Sequence, residues 1–291
     1  MKIALIDNGS LEAASQRNLR AVAAAVSARV GVPVAPVSWK HSDRIPAAEL
    51  DGRPAAVLSS WVRDQVSGGE RQYLFVPFFI SAQGSVGSSL RAEVEELALR
   101  EGGLKCAFTA GFSPELLASI LAARVEETVR ERGLERPAVI VVDHGGPSAT
   151  SARLRDRVAA AVSARLGDAA RAVAPASMES PDGPPFSFNE PLFAAKLGAP
   201  GFDSGDVVIA PLFLSPGRHA GPGGDLERIA AHAGAARPSL RCQFTGLVGT
   251  HPLAAQALSL SLAGFLADSL AKPRDTVLAA QSPTQILSIT S

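Results

Sequence analysis

Cysteine is nearly absent: Cys106 and Cys242 are the only two, too few for a disulfide framework, so the fold has to rest on packing. Net charge is absent as well. The 28 basic and 28 acidic side chains cancel, and with them goes the long-range field that would draw nucleic acid or an anionic membrane. No stretch offers about 20 continuous apolar residues, the length that spans a bilayer. The first apolar run, Ile3 to Ile6, stops at once at Asp7, Asn8 and Gly9. That is too short for a signal-peptide core and reads as an opening strand. The expectation is a cytoplasmic, soluble α/β protein with neither a nucleic-acid nor a membrane partner. Composition sets no oligomeric state.

What the chain does have is an internal repeat. VAAAVSARVG (Val22 to Gly31) returns as VAAAVSARLG (Val158 to Gly167), nine of ten positions alike at a spacing of 136. The same spacing links KCAFT at Lys105 with RCQFT at Arg241, and IDNG at Ile6 with VDHG at Val142. FVPFFIS (Phe75 to Ser81) corresponds to IAPLFLS (Ile209 to Ser215) at 134, and the register of 136 resumes at Leu90 and Leu226, so the intervening loop is two residues shorter in the first half. A duplication with its junction near Gly133 to Pro137 follows. It divides the chain into residues 1–134, 135–272 and a tail, 273–291.

In the second half the periodicities predict strands at Ala138–Val142, Arg171–Ala176, Val207–Leu214 and Arg241–Gly246. Helices are predicted at Ser151–Leu166, Asn189–Leu197, Leu226–Ala235 and Pro252–Ala271. Strands alternating with helices imply a parallel sheet with right-handed crossovers. Two tandem flavodoxin-like domains are therefore expected, each a four-stranded parallel sheet of order 2-1-3-4 flanked by helices.

The most informative stretch is DVVIAPLFLSPGRHAGPGGDLER, Asp206 to Arg228. A buried strand breaks at Ser215, Pro216 and Gly217 into a loop that holds Arg218 and His219 and closes at Gly223 and Gly224, with Asp225 set to cap the next helix. Strand 1 ends in Asp143, His144, Gly145 and Gly146, and strand 2 runs on to Glu179. Adjacent strands lie about 4.8 Å apart, so the three strand ends can bring two imidazoles and a carboxylate within roughly 10 Å. The repeat supplies a control. The first half has Asn8 for His144, Lys40 for Glu179, and no histidine between Ile80 and Leu90. A polar group that the sister half folds without is more readily functional than structural. His41, His232 and His251 read as surface or capping residues, and the two cysteines as core thiols.

VVDHGG opening a helix, PASMES, and above all PLFLSPGRHAGPGGDLERI resemble the class II tetrapyrrole chelatases of the CbiX and SirB type, which insert cobalt or iron into sirohydrochlorin. The resemblance covers both halves as a two-domain long form. It implies a chelatase-like fold, and it implies that His144 and His219 bind the incoming metal and assist proton removal, with Glu179 as a helper. Two departures stand out: Gly146 replaces the serine usual after His-Gly, and long forms often carry the histidine pair in the first half.

The residue types suit that chemistry. Imidazole is a borderline ligand for Co²⁺, Fe²⁺ and Ni²⁺ and accepts protons near neutrality, and two imidazoles with a carboxylate hold a dication without the closed four-ligand cage that would trap it. The metal is then a substrate, and no organic cofactor is expected. Arg218 and the amides of Gly223 and Gly224 are candidates to receive the carboxylates of a sirohydrochlorin-like tetrapyrrole. The alternatives are a non-enzymatic metal or tetrapyrrole carrier, and a small-molecule lyase or transferase on the same fold.

Overall fold

The computed structural model describes residues 1–81 and 85–271, so the expected tail, 273–291, lies outside the described residues. The first half runs β1 (Lys2–Asp7), α1 (Ala13–Val30), β2 (Ala35–Ser38), β3 (Ala56–Val57), α2 (Leu58–Ser67), β4 (Gln72–Pro77), α3 (Ser85–Arg100), β5 (Lys105–Phe108) and α4 (Pro114–Arg132). The second half runs β6 (Ala138–Asp143), α5 (Ala149–Leu166), β7 (Ala172–Ser177), α6 (Phe193–Lys196), β8 (Gly205–Pro211), α7 (Asp225–Ala236), β9 (Leu240–Phe244) and α8 (Pro252–Ala271).

All strand pairs are parallel, and the second sheet has the expected order, β7-β6-β8-β9. The first sheet differs from expectation. It has five strands, β3-β2-β1-β4-β5, because Ala56 and Val57 pair with Val37 and Ser38 at the edge. Two residues cannot display an alternation, and Leu58 starts a helix directly after them. The helix expected over Asn189–Leu197 is also corrected. Pro184 and Pro185 open a 3₁₀ segment (Pro184–Asn189), and Pro191 keeps it apart from the single turn of α6, since each proline lacks the N–H a continuous helix would use. β8 ends at Pro211, earlier than the apolar run suggested, because the same missing donor stops the ladder.

The strands alternate between two cores, as period-2 side chains must. Ile3 and Leu5 of β1 and Val139 and Val141 of β6 face a core common to both halves. Ala4 and Ile6 turn instead to a core with Val62, Leu90 and Val94, and Ile140 and Val142 to one with Phe193, Leu226 and Ala230. The common core is filled by α1, α4, α5 and α8, with α1 packed on α8 and α4 on α5. This explains the sequence repeat: Val22, Ala23 and Val26, and their counterparts Val158, Ala159 and Val162, are the buried faces of α1 and α5. Small side chains there let helices of opposite halves approach closely.

Candidate functional site: a cleft between two unequal halves

The carboxyl ends of both sheets open on one cleft of about 550 Å³. Its walls come from equivalent positions in the two halves: Phe78, Phe79 and Ile80 oppose Leu212, Phe213 and Leu214, Ser15 matches Ser151, and Asp7, Asn8 and Gly9 match Asp143, His144 and Gly145. The first turn of each half is built alike. Met178 N–H donates to Asp143 O at 2.8 Å and Glu179 N–H to His144 O at 3.1 Å, just as Trp39 and Lys40 donate to Asp7 and Asn8. Gly145, at φ 85°, passes so close to the next strand end that a Cβ would lie 1.8 Å from Glu179 O. Only glycine fits there. Gly146 adopts φ 129°, open to glycine and costly to any residue with a Cβ, so the missing serine goes with a backbone shape that would not accommodate it.

The structure brings His144 and His219 together, with ring centroids 4.7 Å apart in an edge-to-face arrangement. Glu179 Oε1 lies 3.5 Å from His144 Nε2, but it approaches from the β7 side and does not line the cleft. Among the described residues no group of three His, Cys, Asp or Glu side chains gathers to enclose a metal, so the expected trio reduces to an imidazole pair with a carboxylate behind one member. His144 Nδ1 is 3.2 Å from Gly145 O, which as an acceptor favours the proton on Nδ1 and the lone pair on Nε2, beside Glu179.

Several expectations need correction. The amide of Gly223 donates to Glu227 Oε2 at 2.7 Å and that of Gly224 to Gly221 O at 3.0 Å. Both are spent inside the loop and neither residue lines the cleft, so these glycines are not free to receive substrate carboxylates. Arg218 does line the cleft, 77 % exposed. Asp225 is not the cap: Gly224 takes that position, and Asp225, the first helical residue, uses its carboxylate otherwise. Its Oδ2 sits 2.6 Å from His219 Nδ1 and 3.8 Å from Arg218 Nε, while Arg228 bonds Oδ1. The Arg228 hydrogen bond, and after it that of His219, hold the Asp225 carboxyl below the usual carboxylate range. Lys40, the first-half counterpart of Glu179, does not line the cleft. It pairs with Glu93 at 3.3 Å and stacks 4.0 Å over Trp39, so the first half differs at this point by turning its cation away. His251 is a capping residue, as expected, its Nδ1 accepting from Leu253 N–H at 3.2 Å. Burial raises both cysteine thiols to about 11, which keeps them protonated.

Two supports were not anticipated. Arg155 is 1 % exposed and bonds Ser177 Oγ, Asp156 Oδ1 (2.7 Å) and Phe188 O (3.0 Å), while Ser177 donates to Asp143 Oδ1 at 2.7 Å. Burial pushes the Asp143 carboxyl up, against the pull of Ser177 and Arg155. With Asn189 Nδ2 on Gly146 O at 2.9 Å, this network ties the loop bearing His144 to β7 and the 3₁₀ segment. The repeat held the signal, since Leu19 stands opposite Arg155. The other support crosses between halves: Asn18 of α1 donates to Ser215 Oγ at 2.8 Å and Leu214 O at 3.3 Å, clamping the loop that leads to His219.

Two flavodoxin-like halves around a shared cleft, with an imidazole pair on one wall, make up a chelatase-like α/β fold. Residues 138–263, most of the second half, match the family model CbiX. No curated protein matches the chain by sequence. Among solved structures, SirB from Bacillus subtilis with Fe³⁺ is similar at a TM-score of 0.63 and 16% identity, over 94% of this chain and 98% of that one. The sirohydrochlorin chelatase SirB from Bacillus subtilis subspecies spizizenii, in complex with cobalt, gives 0.60 and 15%, over 92% and 97%. CbiX, described as the terminal enzyme for biosynthesis of siroheme in denitrifying bacteria, gives 0.54 and 19%, over 91% and 99%. At these identities the likeness shows a common fold across both halves.

Proposed function

We propose that the protein is a metal chelatase that inserts a divalent ion, Co²⁺ or Fe²⁺, into a sirohydrochlorin-like tetrapyrrole, with the chemistry confined to the second half. The observation that carries this reading is the pair of imidazoles at the mouth of the apolar-walled cleft, His219 leaving Nε2 without a protein partner among the described residues. An incoming ion held by His144 and His219 is bound by two ligands only, weakly enough to be handed on. The macrocycle has to lose two pyrrole protons as the metal enters. Once the ion has passed to the ring, His144 Nε2 is freed to accept one of them, Glu179 3.5 Å from that nitrogen stabilising the imidazolium, and the other leaves to solvent at the open cleft. The apolar walls Phe79, Ile80 and Phe213 suit the faces of a flat ring, and Arg218 at the cleft suits a peripheral carboxylate. Residues 1–134 would serve as the opposing wall, with Asn8 where a ligand would otherwise stand.

Absorbance spectra of the protein mixed with sirohydrochlorin and Co²⁺ test this. Many equivalents of metallated product per chain are expected, whereas stoichiometric binding without turnover would indicate a carrier. His144→Ala and His219→Ala should each lower accelerated insertion by at least about 100-fold, and Asn8→Ala by no more than a few-fold. Wild-type rates in either histidine variant would overturn the reading.

A further inference from the structure

We infer that Asp225 is a positioning residue that locks His219 in the tautomer carrying its proton on Nδ1 and its lone pair on Nε2. Its functional consequence rests on the chelatase reading above; its geometry does not. Asp225 Oδ2 is 2.6 Å from His219 Nδ1, a short, charge-assisted contact. An ionised carboxylate only accepts hydrogen bonds, so the proton between them must start on the ring nitrogen. The carboxylate is kept available for that task. Arg228 binds its other oxygen, Arg218 Nε stands 3.8 Å from Oδ2, and Gly224 has the cap position at the start of α7, with no cap bond asked of the Asp225 side chain.

The duplication argues against a merely structural role for this aspartate. At the register of 136 that links Leu90 with Leu226, the first half has Ser89 where the second has Asp225. The half that lacks the histidine thus lacks its carboxylate partner as well, Ser89 standing in the second turn of α3 where Asp225 opens α7. Fixing the tautomer matters because a neutral imidazole has one lone pair. Without the lock His219 would present an N–H to the metal in part of the population, and the ring would lose the orientation that sets it edge-to-face against His144.

The test uses the full chain, uniformly ¹⁵N-labelled and metal-free, at pH 8, with His219 signals assigned by their loss in His219→Ala. Long-range ¹H–¹⁵N spectra should show His219 Nδ1 protonated and Nε2 bare. Asp225→Asn, an isosteric change whose thermal transition is recorded alongside, should shift the ring to a mixture or to Nε2–H. Co²⁺ affinity followed by absorbance should drop by about 10- to 100-fold in Asp225→Asn, with Asp225→Glu recovering part of it. A wild-type Nε2–H tautomer, or a tautomer and Co²⁺ affinity unchanged in Asp225→Asn, would overturn the inference. The two readings separate cleanly: a locked tautomer in a protein that inserts no metal defeats only the chelatase assignment, and metal insertion untouched by Asp225→Asn defeats only the lock.

Discussion

Asp7 and Asp143 hold equivalent strand ends, but only Asp143 has an arginine behind it. Asp7 is 8 % exposed, its carboxylate accepts from the Gly9 amide at 3.0 Å, and burial raises its carboxyl to about 6 against the pull of Ser38 and Gly9. Its folded value therefore lies above the unfolded one, 3.8, so the contribution to stability is full below pH 4 and is lost as pH rises through 6. At about 1.4 kcal/mol per pH unit the loss is on the order of 2 to 3 kcal/mol. Asp7→Asn, whose side-chain oxygen can still accept from Gly9, should match the wild type near pH 4 and exceed it by roughly that amount at pH 7.5. Urea unfolding at the two pH values checks this, and equal differences at both would show that Asp7 is not buried as a strained anion.

Between β8 and α7 the chain makes the loop that carries His219, and what steadies that loop comes partly from α1 of the other half. Asn18→Ala should remove the hydrogen bonds to Ser215 and Leu214, costing about 1 kcal/mol, and should slow turnover several-fold by loosening the approach to His219. A double-mutant cycle with Ser215→Ala should give a coupling of about 0.5 to 1.5 kcal/mol; strict additivity would mean the contact is idle. None of this could be read from the chain, since Asn18 and Ser215 lie 197 residues apart. Legibility tracked locality. The strand order and helix faces followed from period and repeat, and His144 and His219 from their absence in the sister half. β3 was too short to have a period, and the prolines around α6 interrupted a helix that the apolar spacing suggested. Asp225 was read as a cap because Gly-Gly-Asp before an apolar run carries that signal whether or not the carboxylate has a better partner six residues back.

Taken as a whole, the molecule obeys an approximate two-fold relation, because α1 corresponds to α5 and α4 to α8, and α1 packs on α8 as α5 packs on α4. An interface in which element i meets j and j meets i is the kind that two identical subunits make. The helical layer thus has the form of a homodimer contact whose partners have been joined end to end. The inner helices of each half are buried against those of the other, while the family match covers residues 138–263 of the second half alone. A chain of residues 135–271 alone should not remain a stable monomer. Sedimentation should find it paired through α5 and α8, with both copies presenting His144 and His219 to one symmetric cleft, and a well-folded monomer would refute this. Joined in one chain, the two walls of the cleft need not match: a flat ligand lying between them would meet an imidazole pair on one face and Asn8 on the other, so metal could be delivered from one side only.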